Sequence, residues 1–191
     1  MQIKGTSFNH AALLVPDLDK AAAACRALGF HTDPPQTFSG EGTREVYVGN
    51  RKSHGGRLLL IQAISDGPYA RAFQKRGAGL HHIAVDVTDA EEFAGKLAGS
   101  GWLLHPSSLH TLKSSRTLWL ARPGLPALVE VQERESLDMK PAFISRIRMP
   151  ALSSAHEKML HTLGITQACA ENDDGLTLVI QNQKLRLSDI I

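Results

Sequence analysis

Short apolar runs alternate with helical stripes along the first two-thirds of the chain, and the alternation occurs twice. Ala11 to Val15 and Ile83 to Val87 are runs of strand length. Each is followed by a helix-start signal: Asp17 in the first case, and in the second Thr88 with Glu91, whose spacing is that of a capping box. Behind these starts Leu18, Ala21, Ala22, Cys25 and Leu28 fall at steps of three or four, as do Ala90, Phe93 and Leu97, so each short helix lays one apolar face on a sheet. Gly29 and Gly101 suit left-handed C-terminal stops. Strand-like segments follow in both halves, Arg44 to Val48 and Leu58 to Ile64, then Arg116 to Leu120 and Ala127 to Gln132. The predicted order is β-α-β-β, with room for a further strand before Glu45 and before Arg116. Pro68 to Arg76, with Tyr69, Ala72 and Phe73 at helical spacing, predicts a helix connecting the halves.

The two halves are copies. Residues 8 to 30 set against 80 to 102, an ungapped offset of 72, give six identities: His10/His82, Ala12/Ala84, Val15/Val87, Asp17/Asp89, Ala22/Ala94 and Gly29/Gly101. Phe8/Leu80, Leu13/Val85, Asp19/Glu91 and Phe30/Trp102 pair like with like. The same offset lays Arg44-Glu45-Val46-Tyr47-Val48 on Arg116-Thr117-Leu118-Trp119-Leu120.

Beyond Glu135 the pattern restarts more loosely. Ile144 to Met149 is strand-like, Ser154 with Glu157 has capping-box spacing, and Met159, Leu160 and Leu163 form a stripe ending at Gly164. A turn at Asn172-Asp173-Asp174-Gly175 precedes a final hairpin of Leu176 to Ile180 and Lys184 to Ile190. This third unit is expected to be partial, and no His or Glu falls at its counterpart of His10, so its expected role is structural.

Composition narrows the function. Charged residues are 21% of the chain and balance to +2, without the dense positive field of an electrostatically driven nucleic-acid binder. No apolar run approaches the roughly 20 residues that span a bilayer, so neither nucleic acid nor membrane is an expected partner. The N-terminus lacks a hydrophobic signal core, and Cys25 and Cys169 lack metal-type spacing, which fits a reducing, cytoplasmic setting. Cys25, on the helical stripe, reads as a small hydrophobe.

Chemistry is confined to few residues. His10 and His82 occupy equivalent places near the start of apolar strands, and an approximate twofold axis between the halves would bring their imidazoles face to face. Glu130, inside Ala127-Leu128-Val129-Glu130-Val131-Gln132, is a carboxylate in a strand that otherwise buries itself, and it requires a cation or strong donors. Two neutral imidazoles and a carboxylate coordinate a divalent metal with positions left open. Strand alternation sends His81 to the face opposite His82. Alternation also puts Glu45 on the face of Tyr47, where it is a candidate general base or a simple ion-pair partner of an arginine.

Phe8-Asn9-His10-Ala11-Ala12-Leu13-Leu14-Val15-Pro16-Asp17, Gly79-Leu80-His81-His82-Ile83-Ala84-Val85 and Leu128-Val129-Glu130-Val131 resemble the vicinal oxygen chelate superfamily over residues 7 to 135. Asp66-Gly67-Pro68, running through Phe73-Gln74-Lys75-Arg76 into Gly79-Leu80-His81-His82, is most similar to the methylmalonyl-CoA epimerases. The resemblance implies an α+β fold of paired βαβββ modules, about residues 7–66 and 79–135 of a region 1–136, forming a metal-holding cup; residues 137–191 would add the partial third βα unit. It implies that His10, His82 and Glu130 are metal ligands and that Glu45 moves the substrate α-proton. A divalent ion (cobalt, zinc, nickel, manganese or iron) would polarise a thioester carbonyl and stabilise the enolate. The implied partner is a small carbonyl compound or CoA thioester, and the implied activity an epimerase-like isomerase or lyase. A homodimer covering the third unit is expected.

The family's fourth ligand would stand in the first module on the strand matching Glu130, where Leu58, Leu59 and Leu60 are the alternatives. Gln62 would replace it only through a bulge. Thr117 is the repeat partner of Glu45, so a second acid is not evident. Two rival readings follow: an iron(II) extradiol-type dioxygenase using the two His and one Glu, with only Tyr47 and Tyr69 available as tyrosines, and a non-catalytic binding protein of the bleomycin-resistance type.

Overall fold

The structure, a computed structural model, describes residue 3 and residues 5–150, 152–171 and 175–191. The first half runs β1 (Thr6–Leu14), α1 (Leu18–Ala27), β2 (Gln36–Phe38), β3 (Thr43–Val48) and β4 (Arg57–Ala63). A connecting helix α2 (Pro68–Arg76) leads to β5 (Gly79–Val87), α3 (Ala90–Lys96), β6 (Leu103–Leu104), α4 (Ser108–Ser115), β7 (Thr117–Ala121) and β8 (Leu128–Glu133). One sheet holds all eight strands in the order β2-β3-β4-β1-β5-β8-β7-β6. Each half is therefore a βαβββ module whose first and last strands lie side by side and parallel, and the modules join through the antiparallel pair β1 and β5.

The sheet has two chemically different faces. On one, Ala11, Leu13, Val46, Leu58, Leu60, Ile83, Val85, Leu118, Val129 and Val131 share a core with Leu18, Ala21 and Cys25 of α1 and Ala90 and Phe93 of α3. Full burial of each large aliphatic side chain there contributes on the order of 1.5–3 kcal/mol. On the other face Ala12, Leu14, Leu59 and Ile61 cluster with Tyr69 of α2, with Tyr47, Ala63, Ala72 and Phe73 packed around them. The candidate chemistry lies on this second face.

The anticipated glycine stop of α1 is left-handed, with φ of 85° at Gly29, directly after the cap Leu28. Gly101 is left-handed too, at 81°, but α3 has already ended at Lys96 with Leu97 as its cap, so Gly101 shapes the following turn and does not stop the helix. The second helix start departs from expectation: its cap is Asp89, which accepts from the Glu92 amide at 2.8 Å, as Asp17 accepts from Lys20 at 3.0 Å. A carboxylate in the same repeat position outcompetes the Thr88 hydroxyl. Ahead of β7 the sequence left room for a strand; β6 fills only two residues of it and α4 occupies the rest.

The C-terminal unit goes further than a βα fragment. It comprises β9 (Ile144–Met149), α5 (Ser154–Thr162), β10 (Ala168–Ala170), β11 (Thr177–Ile180) and β12 (Gln183–Arg186), and ends in a 3-10 turn over Leu187–Asp189. The helix cap is Ser153, which accepts from the His156 amide, while Glu157 instead accepts from the Ala170 amide. The element order is that of the modules, yet the strand order is β10-β9-β11-β12. The first strand is central here, whereas the other two units place it beside their last strand. The hairpin turns through Gln181 and Asn182, both at positive φ, the geometry of a two-residue type I′ loop. The expected turn residues 172–174 lie outside the described residues. Phe143 docks this unit on the first module, meeting Phe30 edge-on at 5.6 Å between ring centroids, and a Cβ at Gly49 would collide with it. Among the described residues no helix is long and apolar enough to cross a membrane.

Candidate metal centre

His10 and His82 come from the two strands at the module junction, and Glu130 from β8 beside them. All three are buried, and one ligand atom from each lies within 4.8 Å of the others. Nε2 of His10 stands 3.0 Å from Nε2 of His82, and Oε2 of Glu130 is 3.7 Å from the first nitrogen and 3.5 Å from the second. The approximate twofold axis expected from the repeat thus brings the imidazoles together, though edge-on and not face to face, with 5.2 Å between ring centroids and 74° between their planes.

Two irregularities aim them. The pairing of β1 with β5 shifts register between Phe8 and His10 and again between Ala12 and Leu13, leaving Asn9 and His81 as extra residues in their strands. Phe8 and Leu80 consequently turn to the helix-covered core, while His10 and His82 turn to the opposite face. The expectation that alternation would send His81 away from His82 is corrected by the second bulge. His81 stacks on Tyr69, 4.8 Å between centroids, and its Nδ1 is 2.8 Å from Nδ1 of His82. In the first module Asn9 plays the corresponding part, its Oδ1 lying 2.6 Å from Nδ1 of His10.

Aromatic rings complete the walls in the same repeat register. Tyr47 packs edge-on against His10 at 5.6 Å and Trp119 against His82 at 5.1 Å. Tyr47 also carries the guanidinium of Arg57 over its ring at 4.2 Å. The Tyr47/Trp119 match was visible in the 72-residue register; the roles of Asn9 and His81 were hidden because a bulge leaves no mark on an apolar alternation.

Burial sets the protonation of the site. It is the main reason that the His10 imidazole is held down to about 3, with the guanidiniums of Arg57 and Arg134 adding to it, and that of His82 well below its ordinary value, where a proton would also have to compete with those of His10 and His81. Both are neutral donors of a lone pair near neutrality. Burial pushes the Glu130 carboxyl up to about 7, so its anion is costly without a cation beside it. Two neutral imidazoles with Nδ1 engaged elsewhere, and a carboxylate short of positive charge, fit a divalent metal.

Glu45 lies on β3, paired with Ile61 as Tyr47 is with Leu59, and so on the same face of the sheet. Its carboxylate accepts from the Thr43 hydroxyl at 2.8 Å, and burial raises its proton affinity. Arg44, its neighbour, pairs with Asp19 instead, so the simple ion-pair reading of Glu45 is not what the geometry shows.

The fourth position is settled by strand pairing. Ala84 faces Glu130 across β5 and β8; its repeat partner Ala12 faces Leu59 across β1 and β4. Leu58 and Leu60 point to the helix-covered core and Leu59 to the site. Gln62 is occupied elsewhere, accepting from the Leu18 amide and donating to the Pro16 carbonyl.

Residues 9–117 match the model of the glyoxalase/bleomycin resistance protein/dioxygenase superfamily. The chain belongs to that superfamily. It is 31% identical over 103 residues to the ethylmalonyl-CoA/methylmalonyl-CoA epimerase of Cereibacter sphaeroides, covering 49% of this chain and 75% of the relative. It is 39% identical over 83 residues to the human mitochondrial methylmalonyl-CoA epimerase, covering 41% of this chain and 45% of that one. Among solved structures, the methylmalonyl-CoA epimerase of Mycobacterium tuberculosis superposes with a TM-score of 0.54 at 21% identity, over 70% of this chain and 92% of that one. A hypothetical protein from Bacillus halodurans gives 0.58 at 20% identity, over 72% and 100%. A methylmalonyl-CoA epimerase solved in complex with methylmalonyl-CoA and NH4+ gives 0.55 at 19% identity, over 71% and 100%. These likenesses carry the fold, and the paired modules of this superfamily member agree with it.

Proposed function

We propose that this protein is a metal-dependent isomerase that epimerises a small acyl-CoA thioester at the carbon next to its carbonyl. The observation that carries the reading is the convergence of His10, His82 and Glu130 from both modules on one point. The kinship with an ethylmalonyl-CoA/methylmalonyl-CoA epimerase supports the substrate class. His10, His82 and Glu130 would hold the metal, which when bound would polarise the thioester carbonyl and so acidify the neighbouring C–H. Glu45 takes that proton as general base: it lies on the same face, and its raised proton affinity brings it closer to the working pH of an acid–base catalyst. Tyr47 and Trp119 brace the two imidazoles from the side, so that their Nε2 atoms keep a fixed separation. Leu59 closes the remaining quadrant with an apolar wall.

The test is elemental analysis of chelator-free protein beside the His82→Ala variant, followed by incubation with methylmalonyl-CoA in D2O. We expect about one metal per chain, lost in the variant, and deuterium appearing at the substrate α-carbon. A metal-free protein that takes up none on titration would overturn the reading and leave a ligand-binding module of the bleomycin-resistance type. A second reading is favoured by Leu59: two His and one carboxylate with no fourth protein ligand are the set that iron(II) oxygenases use. Iron in the purified protein together with cleavage of a catechol would select it.

A further inference from the structure

A cavity of about 480 Å³ adjoins the triad without being part of it. Asn9 and Tyr47 line this cavity and also touch His10, Asn9 through Oδ1 at 2.6 Å and Tyr47 edge-on at 5.6 Å between centroids. Three arginines reach the same space from separate places: Arg51 in the loop before β4, Arg57 at the start of β4 and Arg134 just past β8. The far wall is the linker from β8 to β9, which is pinned across this end of the sheet. The Ser7 hydroxyl donates to the Asp138 carbonyl at 2.7 Å, the Gly55 amide to the Pro141 carbonyl at 3.1 Å and the Phe143 amide to the Gly55 carbonyl at 2.8 Å. The superfamily match ends at residue 117, before Arg134 and this linker.

Charge and free donors decide what the cavity takes. Arg57 is answered by Asp33 at 2.7 Å, Arg134 lies 3.4 Å from Asp86, and Asp138 is answered by Lys140 at 3.2 Å. Both oxygens of Asp86 also accept from the Asn9 amide, each at 2.8 Å, so this acid is saturated. Arg51 forms no ion pair among the described residues, and the surplus is one positive charge. Donors are in excess as well. Arg57, its side chain only 12% exposed, spends Nη1 on Asp33 and the Gly49 carbonyl and keeps Nε and Nη2 unpartnered among the described residues. Arg134 turns Nε to Asp86 and Nη2 to Gln132, and keeps Nη1. Guanidinium donors are planar and fixed, and they match the paired oxygens of a carboxylate or phosphate. We propose that this cavity is an anion subsite, holding a carboxylate or phosphate group of the substrate whose carbonyl lies at the triad. The proposal rests on the epimerase reading given above for its substrate, and on the arginines alone for its anion. The linker to the C-terminal unit then has a share in binding beyond the structural role expected of it.

Calorimetric titration of the full chain with three thioesters tests this: methylmalonyl-CoA, propionyl-CoA, which lacks the carboxylate, and methylmalonyl-pantetheine, which lacks the CoA phosphates. The variants are Arg51→Gln and Arg134→Gln, at side chains exposed enough to be replaced without emptying the core; Arg57 is left in place because it braces Tyr47. Each variant is expected to bind methylmalonyl-CoA about tenfold more weakly, the loss of one charge-assisted contact. The ligand that lacks the held group is expected to bind wild type and variants alike. That ligand is propionyl-CoA if the acyl carboxylate occupies the cavity, and methylmalonyl-pantetheine if a phosphate does. Variants that bind methylmalonyl-CoA as tightly as wild type overturn the proposal, and so does a loss of the same size for all three ligands. If none of the three binds wild type, the epimerase reading fails. Inorganic phosphate then tests the cavity by itself, followed through the side-chain 1H–15N signals of Arg51, Arg57 and Arg134. Saturable shifts at all three that weaken in Arg51→Gln uphold the anion subsite, and unmoved signals overturn it.

Discussion

The first module sets Leu59 across from Ala12, and the second sets Glu130 across from Ala84. The modules otherwise agree closely: each contributes a histidine after a bulge, an aromatic ring at the edge of that histidine, and a polar partner for its Nδ1. The differences lie where chemistry is decided. The second module supplies the carboxylate of the triad and has Thr117 where the first has Glu45. A symmetric scaffold thus carries an asymmetric site, with the candidate ligating charge on one side and the candidate base on the other. Duplication fixes where side chains stand; single substitutions then divide the roles.

The largest expected effect comes from removing the one charge the second module contributes. Glu130→Ala leaves two neutral imidazoles and no anion, and Zn2+ affinity measured by chelator competition is expected to fall at least a thousandfold. An unchanged affinity would mean that the triad is a buried polar cluster. Next in size is the first module's acid. Glu45→Gln is expected to keep the metal while slowing α-proton exchange by about two to four orders of magnitude. A parallel loss of metal would place Glu45 among the ligands and erase the division of roles.

Much of this division was legible before any coordinates. The 72-residue register paired His10 with His82 and Tyr47 with Trp119, and Glu130 stood out as a charge in an apolar strand. What stayed hidden has a common physical cause. Alternation presumes an unbroken pleat, and the bulges at Asn9 and His81 break it through backbone hydrogen bonding between strands that the local pattern cannot see. The C-terminal unit shows the same limit: its elements were readable from apolar stripes and glycine stops, but nothing in those stripes encodes that β9 inserts between β10 and β11.

Acid should expose the neutral histidines of both modules. Their folded-state proton affinities are depressed, to about 3 for His10 and about 4 for His81, and likewise downward for His82. The unfolded chain therefore binds protons that the folded one refuses, and the stability they contribute, present above about 6.5, is lost as pH falls. Glu130 opposes this: with its affinity raised to about 7, its stabilising share is present below its ordinary value and lost as pH rises. Three groups against one leave a net loss of roughly 2–3 kcal/mol per pH unit at most between about 6.5 and 4.5. Thermal melts of metal-free protein at pH 7.5, 6.0 and 5.0 check it; a flat profile would mean that water reaches the imidazoles.

The smallest effect sharpens the comparison most directly. Leu59→Glu makes the first module copy the second, placing a carboxylate on the quadrant that leucine now closes. Without metal the variant is expected to melt lower, because a second buried acid beside Glu130 must desolvate or stay protonated. With Zn2+ the order is expected to reverse, with affinity rising about tenfold and the melting temperature recovering, since a cation that attracts one carboxylate attracts two. Both measurements come from one titration followed by differential scanning calorimetry. If affinity falls instead, Leu59 does not face the ion, and the equivalence of Ala12 with Ala84 that places it there does not extend to the site itself.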